Sequence, residues 1–254
     1  MASRRLRLLS YNIAAGLTTS KYSHYLTRSW KQVLPVPQRM SNLDGIARLI
    51  GQFDIVGLQE VDTGSLRSGF VDQSRYLAER GRFECAFDQS NRRIGLISQH
   101  SNAVLCRFRP SLVEDHKLPG VIPGRGLLLA RFGDGEDALH VFIMHMALGK
   151  RGRIRQIEFL AELIGDHRYV VVMGDLNCRS DSREMVRLLE LTGLGEPAPG
   201  LHTFPSWQPN RQLDHILVSP AIQVESVQVL PYTYSDHLPL AMEVVLPERV
   251  RLGG

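Results

Sequence analysis

Tyr169-Val170-Val171-Val172-Met173-Gly174-Asp175-Leu176-Asn177 is the stretch that decides how this chain is read. Tyr169 to Met173 is a short apolar run rich in β-branched residues, the pattern of a strand covered on both faces. Gly174 follows, where the backbone can turn without a steric penalty. Asp175 and Asn177 are two apart, so in an extended chain they point to the same side. A carboxylate and an amide then lie side by side at the carboxyl end of a buried strand, where open α/β sheets put their chemistry. The competing reading is a plain turn, since Gly, Asp and Asn are turn formers. The choice depends on whether other apolar runs end in the same way.

They do. Leu6 to Tyr11 ends at Asn12, Asp54 to Gln59 ends at Glu60, and Leu139 to Met144 ends at His145. Leu213 to Val218 carries Asp214 inside it, which is costly in an apolar strand unless the carboxylate is paired. Ser235-Asp236-His237-Leu238-Pro239 leads into a last run, Leu240 to Leu246. Phe83 to Phe87, Asn102 to Cys106, Ser111 to Leu118, Leu127 to Phe132 and Val224 to Leu230 read as further strands, with Gly133-Asp134-Gly135 as a hairpin-like turn. Helices are expected from a capping box at Ser41 and Asp44 through Ile50, over Ser74 to Arg80, after Lys150, and from a second capping box at Asp181 and Glu184 to about Leu191. Asp62 to Gln73 and Gln89 to His100 read as loops. The pattern is α/β, with no repeat and no linker, hence one domain over residues 1–254.

Two segments carry charge of interest. Residues 13–39 are long and aperiodic, with Tyr22, Tyr25 and Trp30 among Lys21, Arg28 and Lys31. They form either a surface segment whose aromatics tuck onto the body or a lid that touches substrate. Lys150, Arg151, Arg153 and Arg155 crowd the start of a helix, where the macrodipole is already positive. A bound anion would relieve that, so some of these side chains are expected to face a phosphate.

Bulk composition fits this picture. The length of 254 residues is ample for a core without disulfides or structural metal, and 43% hydrophobic with 22% charged residues is ordinary for a globular protein. A net charge of +4 suits an anionic ligand without requiring one. Cys85, Cys106 and Cys178 are scattered and odd in number, against a disulfide framework or a zinc site. No signal-peptide core and no run of membrane-spanning length is visible, so a cytoplasmic protein is expected.

Each polar residue has a bland explanation. Together they are the parts for metal-assisted attack on phosphate: a carboxylate for the cation, a base for water, amide and histidine donors for the oxyanion. Ser10-Tyr11-Asn12, Leu58-Gln59-Glu60-Val61, Ser101-Asn102-Ala103-Val104-Leu105, Met144-His145-Met146, Gly174-Asp175-Leu176-Asn177, Thr203-Phe204-Pro205, Leu213-Asp214-His215-Ile216 and Ser235-Asp236-His237-Leu238-Pro239 run in that order along nearly the whole chain. In these pieces the sequence resembles the endonuclease/exonuclease/phosphatase superfamily, which includes pancreatic deoxyribonuclease, apurinic repair endonucleases, neutral sphingomyelinases, inositol polyphosphate phosphatases and deadenylases.

The resemblance implies a four-layered α/β sandwich, two packed and mostly antiparallel sheets between helices. It implies a magnesium-dependent phosphoric ester hydrolase, with manganese as a substitute cation. A phosphodiesterase on nucleic acid or a phospholipid-like diester comes first, then a phosphomonoesterase on a small ester, then an inactive binding module. By the same resemblance Glu60 is the main cation ligand, Asn12 supports the cation or its waters, and Asp236 ligates it or holds one of its ligands. Asp175 orients or deprotonates the attacking water, and Asn177 holds a phosphate oxygen. Asp214 pairs with His237, which stabilises phosphate charge or acts as general base. His145 contacts phosphate or helps protonate the leaving oxygen, as in the deoxyribonuclease and sphingomyelinase branches, where the repair endonucleases have tyrosine. Asn102, Arg151 and Arg155 are candidate substrate contacts. The partner implied is a phosphate ester, nucleic acid or lipid headgroup, and no protein. Gln59-Glu60-Val61-Asp62, the Arg-rich segment and Thr203 to Trp207 bring the chain nearest to bacterial members of undefined substrate.

Overall fold

The computed structural model describes residues 4–17, 37–94, 98–120 and 125–252. One six-stranded sheet contains β1 (Arg4–Asn12), β2 (Ile55–Asp62), β3 (Cys85–Ile94), β4 (Ser98–Cys106), β10 (Gln223–Val229) and β11 (Leu240–Leu246), in the order β10-β11-β1-β2-β4-β3. A five-stranded sheet runs β5-β6-β7-β8-β9, from β5 (Leu112–Lys117) through β6 (Gly126–Phe132), β7 (Leu139–His145) and β8 (Tyr169–Asp175) to β9 (Asp214–Val218). All neighbours are antiparallel except β1 with β2 and β7 with β8.

Alternation along each strand builds four layers. Leu6, Leu8, Ile55 and Val104 of the first sheet meet Val141, Ile143, Val171, Met173 and Ile216 of the second in a dry inner core. The other side of the first sheet, with Leu9, Tyr11, Val56, Leu58 and Leu105, is covered by α1 (Pro37–Ile50) and α2 (Gln73–Gly81). The other side of the second, with Phe142, Met144, Val170 and Val172, is covered by α3 (Lys150–Ile164) and α4 (Arg183–Thr192). This is the α/β sandwich expected from the resemblance. β8 is buried at every position, as its unbroken apolar run requires.

Several local expectations need correction. Ser41 and Asp44 do not open α1: it begins at Pro37, a residue suited to the first helical turn, and Asp44 Oδ1 instead accepts the Tyr76 hydroxyl at 2.5 Å. The cap of α4 is Ser182, whose side chain accepts from Met185 N. Glu184 is buried against Arg153, so a box with Asp181 does not form. Residues 89–94 and 98–100 are strand, not loop, because the β3–β4 hairpin continues past the apolar residues that betray it. Tyr22, Tyr25 and Trp30 of the expected lid lie outside the described residues. No helix among the described residues is long and apolar enough to cross a membrane.

The two parallel pairs position the site. Their carboxyl ends open at the same end of the inter-sheet seam, with Asn12 opposite Gln59 and His145 opposite Asp175. Continuing the two-residue period of the inner core brings Ser10, Asn12, Gln59, Asn102, His145, Asp175 and Asp214 onto the inner faces at that end. The dry core thus gives way to a polar layer.

Candidate active site

Gly174 lets β8 deliver Asp175. Its φ is +154°, and a Cβ built there would lie 1.9 Å from the Met144 carbonyl oxygen of β7, so only glycine permits this approach. Asp175 then pairs in register with His145 on one side and Asp214 on the other. Three neighbouring strands so supply an imidazole and two carboxylates in one row.

The row is tied together from both sheets. Asn12 Nδ2 crosses from the first sheet to donate to Asp175 Oδ2 at 3.1 Å, while its Oδ1 accepts from Ala14 N. His145 Nε2 is 3.4 Å and His237 Nε2 3.8 Å from the same Asp175 oxygen. His237 Nδ1 is 2.8 Å from Asp214 Oδ2, which also accepts the Thr203 hydroxyl at 2.5 Å. Phe204 packs against the His237 ring at 4.8 Å between centroids. Asn177 bends back in a left-handed conformation, φ 50°, donates its backbone N–H to Asp175 Oδ1, and fixes its side chain by donating to Met146 O. The aspartate and asparagine therefore do lie together, through a turn and not through strand alternation.

Electrostatics follow from burial. Asp175 is 2% exposed and Asp214 fully buried. Burial, opposed by His237 and reinforced by Asp214, pushes the Asp175 carboxyl above the usual carboxylate range. Burial alone would lower the His237 pKa, but the Asp214 carboxylate outweighs it and raises the imidazole above its ordinary value. His237 is flanked by the carboxyl groups of Asp175 and Asp214, which favour its protonated form.

Asp175, Asp214 and His237 bring one ligand atom each within 4.8 Å of one another. Asp214 Oδ1 has no hydrogen-bond partner although it is buried. Two hard carboxylates with one oxygen unspent fit a divalent cation. Glu60, the expected main ligand, stands outside this trio. It occupies a β-bulge where β2 slips against β4, with φ 56°, one residue past the pairing of Asn12 with Gln59. Asp236 is half-buried, accepts the Ser235 hydroxyl, and also lies outside the trio. Asn102 is buried on β4, with Nδ2 donating to Gly126 O and Oδ1 unpartnered.

The arginine cluster divides. Arg153 points to buried Glu184 at 2.6 Å and donates to the Ala147 and Leu148 carbonyls, so it staples α3 to α4 rather than facing a phosphate. Arg151 and Arg155 are exposed. Thr203 and Gln59 were not expected to take part. Thr203 holds Asp214, and its place in the matching piece Thr203-Phe204-Pro205 was the available clue. Gln59 is fully buried with both amide atoms unpartnered, beside Asn12; its place next to Glu60 was the available clue.

The Endonuclease/Exonuclease/phosphatase family model matches residues 9–237. The chain belongs to that family. Its members are in general hydrolytic phosphoesterases and nucleases. Among solved structures, a family protein from Bacteroides thetaiotaomicron is similar over 97% of this chain and 100% of its own, at 19% identity and a TM-score of 0.72. A mannosyl-6-phosphatase from the same organism is 20% identical over 95% of this chain and 100% of its own, TM-score 0.70. The D. rerio TDP2 complexed with single strand DNA product is 16% identical over 94% and 98%, TM-score 0.68. At these identities the likeness is one of fold. No curated protein matches the sequence significantly.

Proposed function

We propose that this protein is a magnesium-dependent phosphoric ester hydrolase that cleaves diesters of nucleic acid or phospholipid type by attack of water. The observation that carries the reading is the unbroken line Asn12–Asp175–His237–Asp214–Thr203, in which every buried charge has an opposite charge or a donor beside it. Asp175 is the group to orient the attacking water and take its proton, since burial raises its affinity for one. His237, kept protonated by Asp214, offers an N–H to phosphoryl charge that grows in the transition state. His145, 5% exposed and on the other side of Asp175, is the donor toward the leaving oxygen. Asn177 and Asn102 hold phosphoryl oxygens, and exposed Arg151 and Arg155 attract the substrate. A divalent cation, held by Asp175 or Asp214 with Glu60, Asn12 and Asp236 around it, would supply Lewis-acid polarisation of the phosphoryl group.

The test is hydrolysis of bis-p-nitrophenyl phosphate against p-nitrophenyl phosphate, with and without magnesium or manganese, using His237→Ala as control. Preference for the diester, lost in the variant, is expected. Preference for the monoester would make the protein a phosphomonoesterase. No hydrolysis of either with any divalent cation would sink the enzyme reading for these esters.

A further inference from the structure

Behind the catalytic row, on the opposite face of β9, stands a second buried imidazole. Asp214, Ile216 and Val218 form the inner row of that strand, and Ile216 and Val218 join the inner core. His215 shares the other face with Leu217, which packs under the helices. In the ladder with β8, His215 pairs with Gly174, next to the pair of Asp214 with Asp175. Directly opposed residues share a face, and Gly174 brings no side chain to it. Fully buried His215 therefore stands behind the point where β8 delivers Asp175.

Both of its ring nitrogens are engaged. Nε2 lies 2.9 Å from the Cys178 carbonyl oxygen, which can only accept, so Nε2 carries a proton and donates it. Nδ1 lies 2.7 Å from Glu196 Oε1, an oxygen that also accepts from Ser180 Oγ and Gln212 Nε2. Burial would raise the Glu196 carboxyl, but the hydrogen bond with His215 outweighs it and holds the group below its ordinary value. Glu196 is fixed in turn, because Gly195 exchanges two backbone hydrogen bonds with Val218 of β9. The carboxylate thus sets the ring, and the ring grips the Cys178 carbonyl.

What is gripped is the turn after β8. Cys178 follows Asn177, whose φ of 50° lies in the left-handed region. Asn177 donates its backbone N–H to Asp175 Oδ1. On the near side of Asn177, Leu176 N donates to Leu213 O. On the far side, the Cys178 carbonyl takes the His215 proton. A non-glycine residue in the left-handed region costs energy and persists where its surroundings over-determine it. The two ties supply that. Releasing the second frees the chain after Asn177 to turn, and Asp175 Oδ1 then loses a donor that fixes its orientation.

We propose that His215 is a positioning residue of the hydrolytic site: through Nε2 and the Cys178 carbonyl it holds Asn177 in the conformation that orients Asp175, with Glu196 fixing the ring. This role presupposes the hydrolase reading of Asp175 and extends it to a side chain on the far face of the strand, which touches no substrate.

The two ring nitrogens can be tested separately. His215→Gln places an amide N–H near the Nε2 position and keeps a donor for Cys178, whereas His215→Asn places one near Nδ1 and keeps only the link to Glu196. Magnesium-dependent hydrolysis of bis-p-nitrophenyl phosphate is measured in both, well below their melting temperatures. kcat in His215→Gln should exceed that in His215→Asn by about fivefold or more, with KM moved less. A bond network that serves only stability would lower Tm in both variants and leave their kcat values alike, and a smaller gap or the reverse order overturns the proposal. Should His215→Asn not fold, Glu196→Gln, which still hydrogen-bonds Nδ1, is compared with Glu196→Ala, which does not; the same gap is expected, and a smaller one overturns the role. If the wild type cleaves no ester, the hydrolase reading has failed, and the positioning is read from hydrogen exchange at the Asn177 amide. That amide should exchange about tenfold faster or more in His215→Asn than in His215→Gln, and equal exchange overturns it.

Discussion

Gly174→Ala probes the junction on which the site depends. The added Cβ would lie 1.9 Å from the Met144 carbonyl oxygen, and 3.0 Å is the least that real side-chain carbons tolerate, so β8 must retreat from β7 by more than 1 Å. That oxygen belongs to the parallel ladder in which Met144 pairs with Gly174 and His145 with Asp175. The obstacle is backbone, which cannot rotate away as a side chain would. Overpacking of this kind costs about 1–3 kcal/mol, and holding alanine in the backbone conformation of Gly174 adds about 1–3 kcal/mol. At about 2–4 °C per kcal/mol for a domain of this size, Tm should fall by roughly 10 °C. Displacing Asp175 by an ångström should also cost about a hundredfold in turnover. Thermal unfolding followed by circular dichroism, with diester hydrolysis below the transition, reads both. A variant that melts within about 2 °C of the wild type would refute the steric argument. One that melts early but turns over normally would detach Asp175 from the chemistry.

Three further outcomes are expected. Asp214→Asn removes the charge that keeps His237 protonated and should lower turnover by roughly 10²- to 10⁴-fold with the fold intact; an unaltered rate would break the Asp214–His237 couple. Gln59→Met replaces a buried amide with no partner by an apolar side chain of similar length, so Tm should rise by about 3–6 °C while diester hydrolysis falls. A lower Tm would mean that the amide is structural. Burial, with like charge on the His167 ring 3.7 Å away and on Arg131, lowers the His140 pKa to about 4, whereas the unfolded chain protonates near about 6.5. The unfolded state therefore binds the extra proton, so stability is full above pH of about 6.5 and drains away as pH falls toward about 4. In His140→Gln the Tm–pH curve over that window should be flatter, and an unchanged slope would assign the acid loss to other groups.

What the sequence disclosed depended on periodicity. β8 announced itself because both faces are covered and its apolar run is unbroken, and β7 and β11 did so with a single polar residue inside each run, His140 and Glu243. The outer parts of β3 and β4 did not, since residues 89–94 and 98–100 are mostly polar, and polar strand and loop look alike without the partner strand. Capping boxes misled twice because Ser, Asp and Glu at that spacing also occur inside helices and in ion pairs. In the site, Asn12, His145, Asp175, Asn177, Asp214 and His237 are brought together as strand ends should be. That Arg153 is the structural member of the arginine cluster could not be read, because its partner, Glu184, is thirty-one residues away and buried, a relation no local pattern encodes. The identity of the sheet layers rested on the resemblance, not on the pattern.

The polar layer at the end of the seam explains why such a site is kept where it costs stability. Gln59, Asn102 and Asp214 each leave a buried atom unpartnered, and each such atom costs about 1–3 kcal/mol. A chain selected only for stability would continue the Ile, Val and Met of the inner core to the strand ends. Instead the period is held and the residue type changes, at the one end where both parallel pairs finish. Parallel pairing places His145 beside Asp175 and Asn12 beside Gln59 without any loop, so the groups are held by sheet geometry and not by a flexible connection. An unpaired acceptor in such a place is preorganised: it needs no reorientation when a cation arrives, and its desolvation has already been met in folding. The stability forgone in the polar layer is thus the reservoir from which binding and transition-state stabilisation are drawn, and substitutions there should trade one against the other.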